Sequence, residues 1–224
     1  MSKVKKTHAH AVIATDVVIF TIEGGILKVL LIAMKKRPFE NHWAMPGGLV
    51  GGRETLEDSA MRHLVNKTGV RDVYLEQLAT FGDPKRDPFG RVVSVAYMAL
   101  ISSQTLHLKT TKEYAGVAWF PFSKLPSLAY DHKVIVAAAH KRLVGKLAYT
   151  NIAYGLLPKE FALSELQSTY ETILGRRLDK RNFRKKLLSL SLVTSTKKYR
   201  REGAHRPALL YRFTRHSPIV VPVL

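Results

Sequence analysis

The chain has 224 residues, no cysteine, and 36 Lys and Arg against 17 Asp and Glu, a formal net charge of +19. Without cysteine there are no disulfides and no thiolate chemistry, and no run of 18 uninterrupted apolar residues indicates a membrane span. Because the basic start has no apolar signal core either, we expect a cytoplasmic protein with no membrane partner. The basic balance favours a phosphate-rich partner, although a merely soluble basic protein can share it.

In chain order, the first part of the sequence is rich in predicted strands. β-Branched runs on both sides of Gly24-Gly25 predict a hairpin between Ala11 and Ile32. Further strands are predicted over Val73–Phe81, Arg91–Ile101 and Gly116–Phe120. Two helices are predicted, Leu56–Thr68 ended by Gly69 and His132–Leu147 with Asp131 as its cap. This order predicts an α+β fold over residues 1–148, a sandwich rather than a doubly wound sheet.

The composition changes near residues 146–158, and a second domain is predicted over residues 149–224. This part carries 15 Lys and Arg against 5 Asp and Glu. Helices are predicted over Ser164–Leu174, ended by Gly175, and over Lys180–Leu190, capped by Asp179. Two predicted strands, Ser191–Thr196 and Ala208–Phe213, flank a basic loop. Helices followed by a two-stranded wing are the order of a winged helix-turn-helix.

The second helix of this domain has one apolar and one basic face. Phe183, Leu187 and Leu190 predict a core-facing stripe, and Arg181 and Lys185 lie nearly opposite. A recognition helix in a DNA major groove has this pattern, and so does an ordinary solvated face. The preceding helix and the basic hairpin that follows favour DNA binding. The candidate DNA-binding residues are Lys180, Arg181, Asn182, Arg184, Lys185, Lys198, Arg200, Arg201, His205 and Arg206.

A spaced motif surrounds the first predicted helix. The pattern G-x5-E-x7-R-x-U-x4-G-U, in which U is aliphatic, is matched by Gly48, Glu54, Arg62, Leu64, Gly69 and Val70. These matches resemble the Nudix box, a loop–helix–loop that in hydrolases holds Mg²⁺ beside a pyrophosphate. The resemblance implies a Nudix-like α/β/α sandwich with a mixed sheet. It also implies a structural ion pair between Glu54 and Arg62.

The metal-binding positions depart from the family pattern. In Nudix hydrolases the positions of His63, Asn66 and Lys67 are glutamates, spaced to share one helix face. Mg²⁺ prefers carboxylate oxygens, whereas these residues offer an imidazole, an amide and a cation. We therefore expect no catalytic residue, no bound metal, no cofactor and no enzyme activity. The alternative is that Glu57 and Asp58, or another carboxylate, rebuild a metal site.

A pocket that no longer cleaves can still bind a nucleotide. Paired glycines let backbone N–H groups approach phosphate, arginines can neutralise a diphosphate, and an aromatic ring can stack on a base. An aromatic residue taken alone is more often part of the core than of a ligand site. A charged, proline-rich loop such as residues 81–88 is ordinarily a solvated connection between strands. The candidate effector-binding residues are Arg37, Trp43, Gly47, Gly48, Arg53, Arg86 and Arg91.

The whole chain resembles the family of Nudix-related, NrtR-like transcriptional regulators. The resemblance rests on the degenerate box, on the Phe81–Tyr97 stretch, on Leu178–Arg184 and on His205–Ala208. It implies a homodimer that represses genes of NAD metabolism from a palindromic operator in double-stranded DNA. It also implies ADP-ribose, or a related nucleotide, as an effector that releases the DNA. A related branch controls sugar-utilisation genes, so the resemblance leaves the identity of the regulated genes undecided.

Two other functions compete with this interpretation. The first is an active Nudix hydrolase of ADP-ribose or another nucleoside diphosphate derivative, which metal-dependent turnover would reveal. The second is an RNA-binding protein, which would prefer single strands. The basic region of the sequence has no interleaved aromatic platform to support it.

Overall fold

The computed structural model describes residues 10–69, 71, 73–105, 115–201 and 207–224. None of the helices in these ranges is long and apolar enough to cross a membrane. The strands are Val12–Glu23 (β1), Ile26–Ala33 (β2), Trp43–Ala44 (β3), Gly47–Leu49 (β4), Tyr74–Phe81 (β5), Val92–Leu100 (β6), Gly116–Pro121 (β7), Phe161–Ala162 (β8), Val193–Arg200 (β9) and Ala208–Phe213 (β10). The helices are Leu56–Thr68 (α1), His132–Tyr149 (α2), Leu163–Leu174 (α3) and Lys180–Ser189 (α4).

The first sheet has seven strands with β1 near its centre. Its main path runs β3–β2–β1–β6–β5, with β4 paired to β1 and β7 paired to β2. Strands β1 and β6 are parallel, with Val12 opposite Val92, and the other pairs are antiparallel. The sheet is therefore mixed, as the resemblance to the Nudix family implies.

Both faces of this sheet are covered, because successive residues of β1 point to opposite sides. Val17 and Ile19 belong to one buried cluster with Leu64 of α1. Val18 and Phe20 belong to another cluster with the buried face of α2. Such double burial favours a run of apolar residues, which residues 17–20 of β1 supply. The predicted α/β/α sandwich is confirmed.

The ends of α1 agree with the prediction, and α2 starts at the predicted residue, His132. The Thr55 hydroxyl accepts the Asp58 N–H at 3.1 Å, the Asp58 carboxylate accepts the Thr55 N–H in return, and Gly69 ends α1 with a φ of 72°. Asp131 occupies the predicted cap position of α2, but its side chain makes no capping bond to the helix. That carboxylate binds Arg86 instead.

The second part of the chain packs α3 and α4 against the three-stranded sheet β8–β10–β9. The prediction that Asp179 caps α4 is confirmed, because its carboxylate accepts the Asn182 N–H at 2.7 Å. The sequence missed β8, since two residues are too short to show an alternating pattern. Strand β9 is longer than predicted and reaches Arg200, so the basic residues expected in a loop lie largely on a strand. The winged helix itself is confirmed.

Candidate functional site

The loop between β4 and α1 is braced by an ion pair. Arg62 donates from Nε to Glu54 Oε2 at 2.9 Å and from Nη2 to Oε1 at 2.5 Å. The Gly51 N–H donates to Glu54 Oε1 at 2.6 Å. Arg62 and Gly51 together lower the pKa of Glu54 to about 2. The Glu54 carboxylate therefore binds Arg62 and the loop backbone, which is the structural role that the motif implies.

The remaining motif positions on α1 differ in burial. His63 is half-buried beside Gly48, where an added Cβ would lie 2.9 Å from the His63 ring. Burial and the charge of Arg62 lower the pKa of His63 to about 4, so the ring is neutral near pH 7. Asn66 is exposed and Lys67 is buried. Together these three side chains present no negative charge to the space beside the helix.

A cleft opens next to β1 and β4. It consists of two adjoining cavities, of about 670 and 450 Å³, that share Arg86 and Tyr130 in their walls. These volumes fall in the range of small-molecule sites. The charged and imidazole side chains in the walls are Asp16, Asp83, Lys85, Arg86, Asp87, Arg91, Asp131 and His132. We call the two cavities together the cleft.

Arg86 lies between two carboxylates in the wall of the cleft. It donates from Nε to Asp131 Oδ2 at 3.0 Å and from Nη2 to Asp131 Oδ1 at 2.8 Å. Nη2 also donates to Asp16 Oδ2 at 3.3 Å, an oxygen that accepts the Ser94 hydroxyl at 2.6 Å. Burial disfavours the Arg86 charge, but the two carboxylates outweigh it and raise the pKa of Arg86. The cluster holds one guanidinium against two carboxylates.

His132, in the first turn of α2, completes this wall. Its Nδ1 accepts the Met45 N–H at 3.0 Å, so the ring proton lies on Nε2, which faces Asp16 Oδ1 at 3.6 Å. Burial lowers the pKa of His132, with the charge of Arg86 acting in the same direction. The neutral ring therefore ties the start of α2 to the chain between β3 and β4.

Four of the predicted effector-binding residues line the cleft. Arg86 and Arg91 do so together with Gly47 and Gly48 on β4. Arg91 is half-buried and donates from Nη1 to the Gly82 carbonyl at 2.8 Å. The glycines have a packing reason as well, because a Cβ on Gly47 would overlap the carboxylate that faces it from β1.

The other three predicted residues lie outside the walls of the cleft. The Arg37 side chain is 93% exposed and lies 3.7 Å from Glu40, and Arg53 is exposed. Trp43 packs edge-to-face on Phe120, with ring centroids 4.5 Å apart. The ring is partly buried and packs against the core on the other face of the sheet, so its contact with a ligand stays a prediction. Neither arginine reaches the cleft.

Sequence reasoning missed Asp16, Asp131 and His132 as cleft residues. Asp16 is distant in the sequence from the adjacent residues Asp131 and His132, and only the fold brings it to them. Asp16 did leave a signal, because a lone acid inside a buried apolar strand needs a partner. Tyr130 left none. Its φ of 54° lies in the left-handed region that side chains rarely adopt, directly before Asp131.

Helix α4 presents the predicted basic face. Phe183 and Leu187 are buried, whereas Lys180, Arg181 and Lys185 are exposed. Asn182 is exposed beside them, and Arg184 is half-buried. No carboxylate in the described part of the chain forms an ion pair with any of the four cations among the DNA-binding candidates on α4. Their charge is therefore available to a partner.

The basic residues of β9 are partly engaged within the molecule. Lys198 Nζ lies 2.8 Å from Glu160, and Arg200 Nη2 lies 2.7 Å from Glu165. Arg201 is exposed just beyond the strand. His205 and Arg206, also predicted to bind DNA, lie outside the described residues.

Known proteins share both parts of this architecture. A model of the NUDIX domain matches residues 11–139, and a model of the NrtR DNA-binding winged helix domain matches residues 153–213. An ADPR responsive transcriptional repressor, NtrR, from Acinetobacter baylyi is 37% identical over 213 residues. The match covers 93% of this chain and 84% of that protein.

Solved structures agree with this likeness. The crystal structure of Shewanella oneidensis NrtR complexed with a 27mer DNA is 34% identical, with a TM-score of 0.81 over 90% of this chain and 93% of that chain. The NUDIX domain of Shewanella oneidensis NrtR, complexed with ADP ribose, is 35% identical with a TM-score of 0.54. That match covers 62% of this chain and 92% of that chain. The protein belongs to the NrtR family of transcriptional regulators, in which a Nudix domain precedes a DNA-binding winged helix.

Proposed function

We propose that this protein represses transcription as a homodimer on a palindromic operator and that ADP-ribose, or a closely related nucleotide, releases it. Residues 1–148 form the effector-binding domain and residues 149–224 the DNA-binding domain. The support comes from the relatives, whose names describe an ADPR responsive repressor, a complex with DNA and a complex with ADP ribose. Genes of NAD metabolism are the proposed targets.

The observation that carries the proposal is the basic face of α4. Its first half exposes Lys180 and Arg181, and Lys185 follows one turn later, while Phe183 and Leu187 fix the opposite face in the core. Exposed cations that form no ion pair within the described ranges are suited to phosphate contacts and guanine readout. The paired cations of β9 are suited to sequence-independent contacts beside them.

The residues of the Nudix motif do not fit Mg²⁺. Glu54 is bonded to Arg62, and Asp58 accepts the Thr55 N–H at the start of α1. Glu57 is exposed. Within the described ranges, no group of three or more His, Asp or Glu side chains is placed to hold a metal ion. We therefore propose a cleft that binds a nucleotide and does not hydrolyse it, and we assign no step to a metal.

Two cations and one aromatic ring are the proposed ligand contacts. Lys85 is exposed in the wall of the larger cavity, and Arg91 uses one nitrogen on the Gly82 carbonyl and keeps others for a phosphate. Phe89 is 69% exposed at the smaller cavity and can stack on a base. Arg86 can bind a phosphate only if it releases one of its two carboxylate partners.

The test combines a binding and a turnover measurement on the full chain. Fluorescent fragments of the DNA that flanks its own gene should bind the protein, and ADP-ribose should displace them. In parallel, ADP-ribose with Mg²⁺ or Mn²⁺ should yield no AMP above a buffer control. Turnover on the order of 1 s⁻¹, an ordinary enzyme rate, would instead establish the hydrolase. Absence of binding to any flanking fragment would contradict the repressor.

A further inference from the structure

Helix α2 connects the cleft to the DNA-binding domain. It has 18 residues and is therefore about 27 Å long. At its start, Asp131 and His132 lie in the walls of the cleft. At its end, the carbonyl of Tyr149 accepts the Val221 N–H at 2.8 Å, and the carbonyl of Ala148 accepts the Val223 N–H at 2.9 Å. The two ends of one rigid element thus belong to different domains.

The last residues of the chain continue this connection to α4. We call residues 214–224 the C-terminal strap. It leaves β10 and is held by Asn151, whose Oδ1 accepts the Ile219 N–H at 2.8 Å and whose Nδ2 donates to the Ser217 carbonyl at 3.1 Å. Val223 is buried and, with Leu224, lines a cavity whose other wall includes Asn182 of α4. The strap is therefore bonded to the end of α2 and lies across a cavity from the first half of α4.

The start of α2 holds a residue with two alternative uses. Asp131 occupies the cap position, but its carboxylate is bidentate to Arg86 and leaves the helix without a side-chain cap. Capping the N–H groups of α2 would be favourable for the same carboxylate, since the helix dipole attracts negative charge there. The left-handed backbone of Tyr130 adds strain next to this contact.

We propose that the ion pair between Arg86 and Asp131 is the contact through which a ligand in the cleft controls DNA binding. A diphosphate is a bidentate, doubly charged acceptor that competes with Asp131 for Arg86. Arg86 then turns to the ligand, and the released Asp131 caps α2 and resets its first turn. Glu76, which binds Arg142 and Lys146, anchors the far half of α2 to the sheet, so α2 tilts about this point. The strap passes the tilt to α4.

This inference deepens the proposed function and rests on it. Its first test compares ADP-ribose affinity with and without saturating operator fragment in wild type, Asp131→Asn and the control Glu57→Gln. Wild type and Glu57→Gln should show the same ratio, within the roughly 5–150-fold range of allosteric couplings. Asp131→Asn should bind ADP-ribose more tightly in the absence of DNA, because the competing charge is gone. In Asp131→Asn, the ratio of ADP-ribose affinity without operator to that with saturating operator should fall below about twofold.

Hydrogen exchange of the wild-type protein provides a second test that does not depend on a variant folding. ADP-ribose should change the protection of Val134 and Ile135 in the first turn of α2, and of Val221 and Val223 in the strap. If wild type binds ADP-ribose with the same affinity with and without operator, both the proposed function and this inference are contradicted. Coupling in wild type that persists fully in Asp131→Asn, or exchange that changes in the cleft alone, would overturn the inference and leave the proposed function standing.

Discussion

The cleft and the face of α4 both contain basic residues, but they use them in opposite ways. Arg86 has a side chain only 3% exposed and is bonded to two carboxylates. Lys180, Arg181 and Lys185 are exposed and, within the described chain, form no ion pair. The same residue type therefore supplies an internal contact in one domain and an accessible charge in the other. Net charge alone does not distinguish them, because it counts paired and unpaired cations alike.

The largest expected effect concerns the stability of the cleft. Arg86→Met should lower the free energy of unfolding by about 3–5 kcal/mol, since Asp16 would stay buried, and Asp131 half-buried, without a cation. Arg53→Met removes an exposed arginine and should change it by less than about 0.5 kcal/mol. Urea denaturation monitored by circular dichroism measures both. Equal stability of the two variants would mean that Arg86 is not the internal contact described above.

A smaller effect is expected on α4, and it should appear in DNA affinity rather than in stability. Arg181→Ala should weaken binding to the specific operator by about 1–3 kcal/mol if the side chain reads a base edge. Arg184→Ala serves as a second probe of the same helix. Lys141→Ala, an exposed lysine of α2, is the matched control for charge. Anisotropy titrations at one fixed salt concentration give the three affinities, and unchanged operator affinity in both arginine variants would contradict the assignment of α4.

The wing should respond more weakly still. Arg200 already pairs with Glu165, so its removal should weaken DNA binding by only part of one phosphate contact. Arg200→Ala should weaken specific and unrelated sequences alike and lower the slope of log affinity against log salt by no more than about one. Affinities measured across a salt series test this. A selective loss of operator binding would place Arg200 at a base edge instead.

The last effect is a dependence of stability on pH. The pKa of His63 is lowered in the folded state from 6.5 to about 4, so the unfolded chain binds a proton that the folded protein does not. The free energy of unfolding should therefore fall as the pH drops from about 6.5 towards 4, by less than about 1.4 kcal/mol per unit. His132 adds to the fall in the same direction. His63→Asn should flatten the curve, and an unaltered curve would contradict the burial of this ring.

The sequence predicted the fold better than the site. Helix α1, the box pair of Glu54 and Arg62, and the apolar stripe of α4 follow from local spacing, and the structure agrees with each. The partners of Arg86 do not follow from spacing, because Asp16 and Asp131 reach it across the sheet from distant positions. Trp43, which stands beside a glycine-rich motif, lies outside the walls of the cleft and packs against the core, as aromatic rings commonly do. Long-range ion pairs are set by strand order, and local patterns carry little information about it.

The central claim is that the cleft and α4 are energetically coupled. Calorimetric titration of ADP-ribose into the free protein and into the protein saturated with operator tests it directly. We expect weaker binding in the second titration, by a coupling of about 1–3 kcal/mol, and linkage requires ADP-ribose to weaken operator binding by the same factor. Equal affinities in the two titrations would show that ligand binding in the cleft is not coupled to DNA binding.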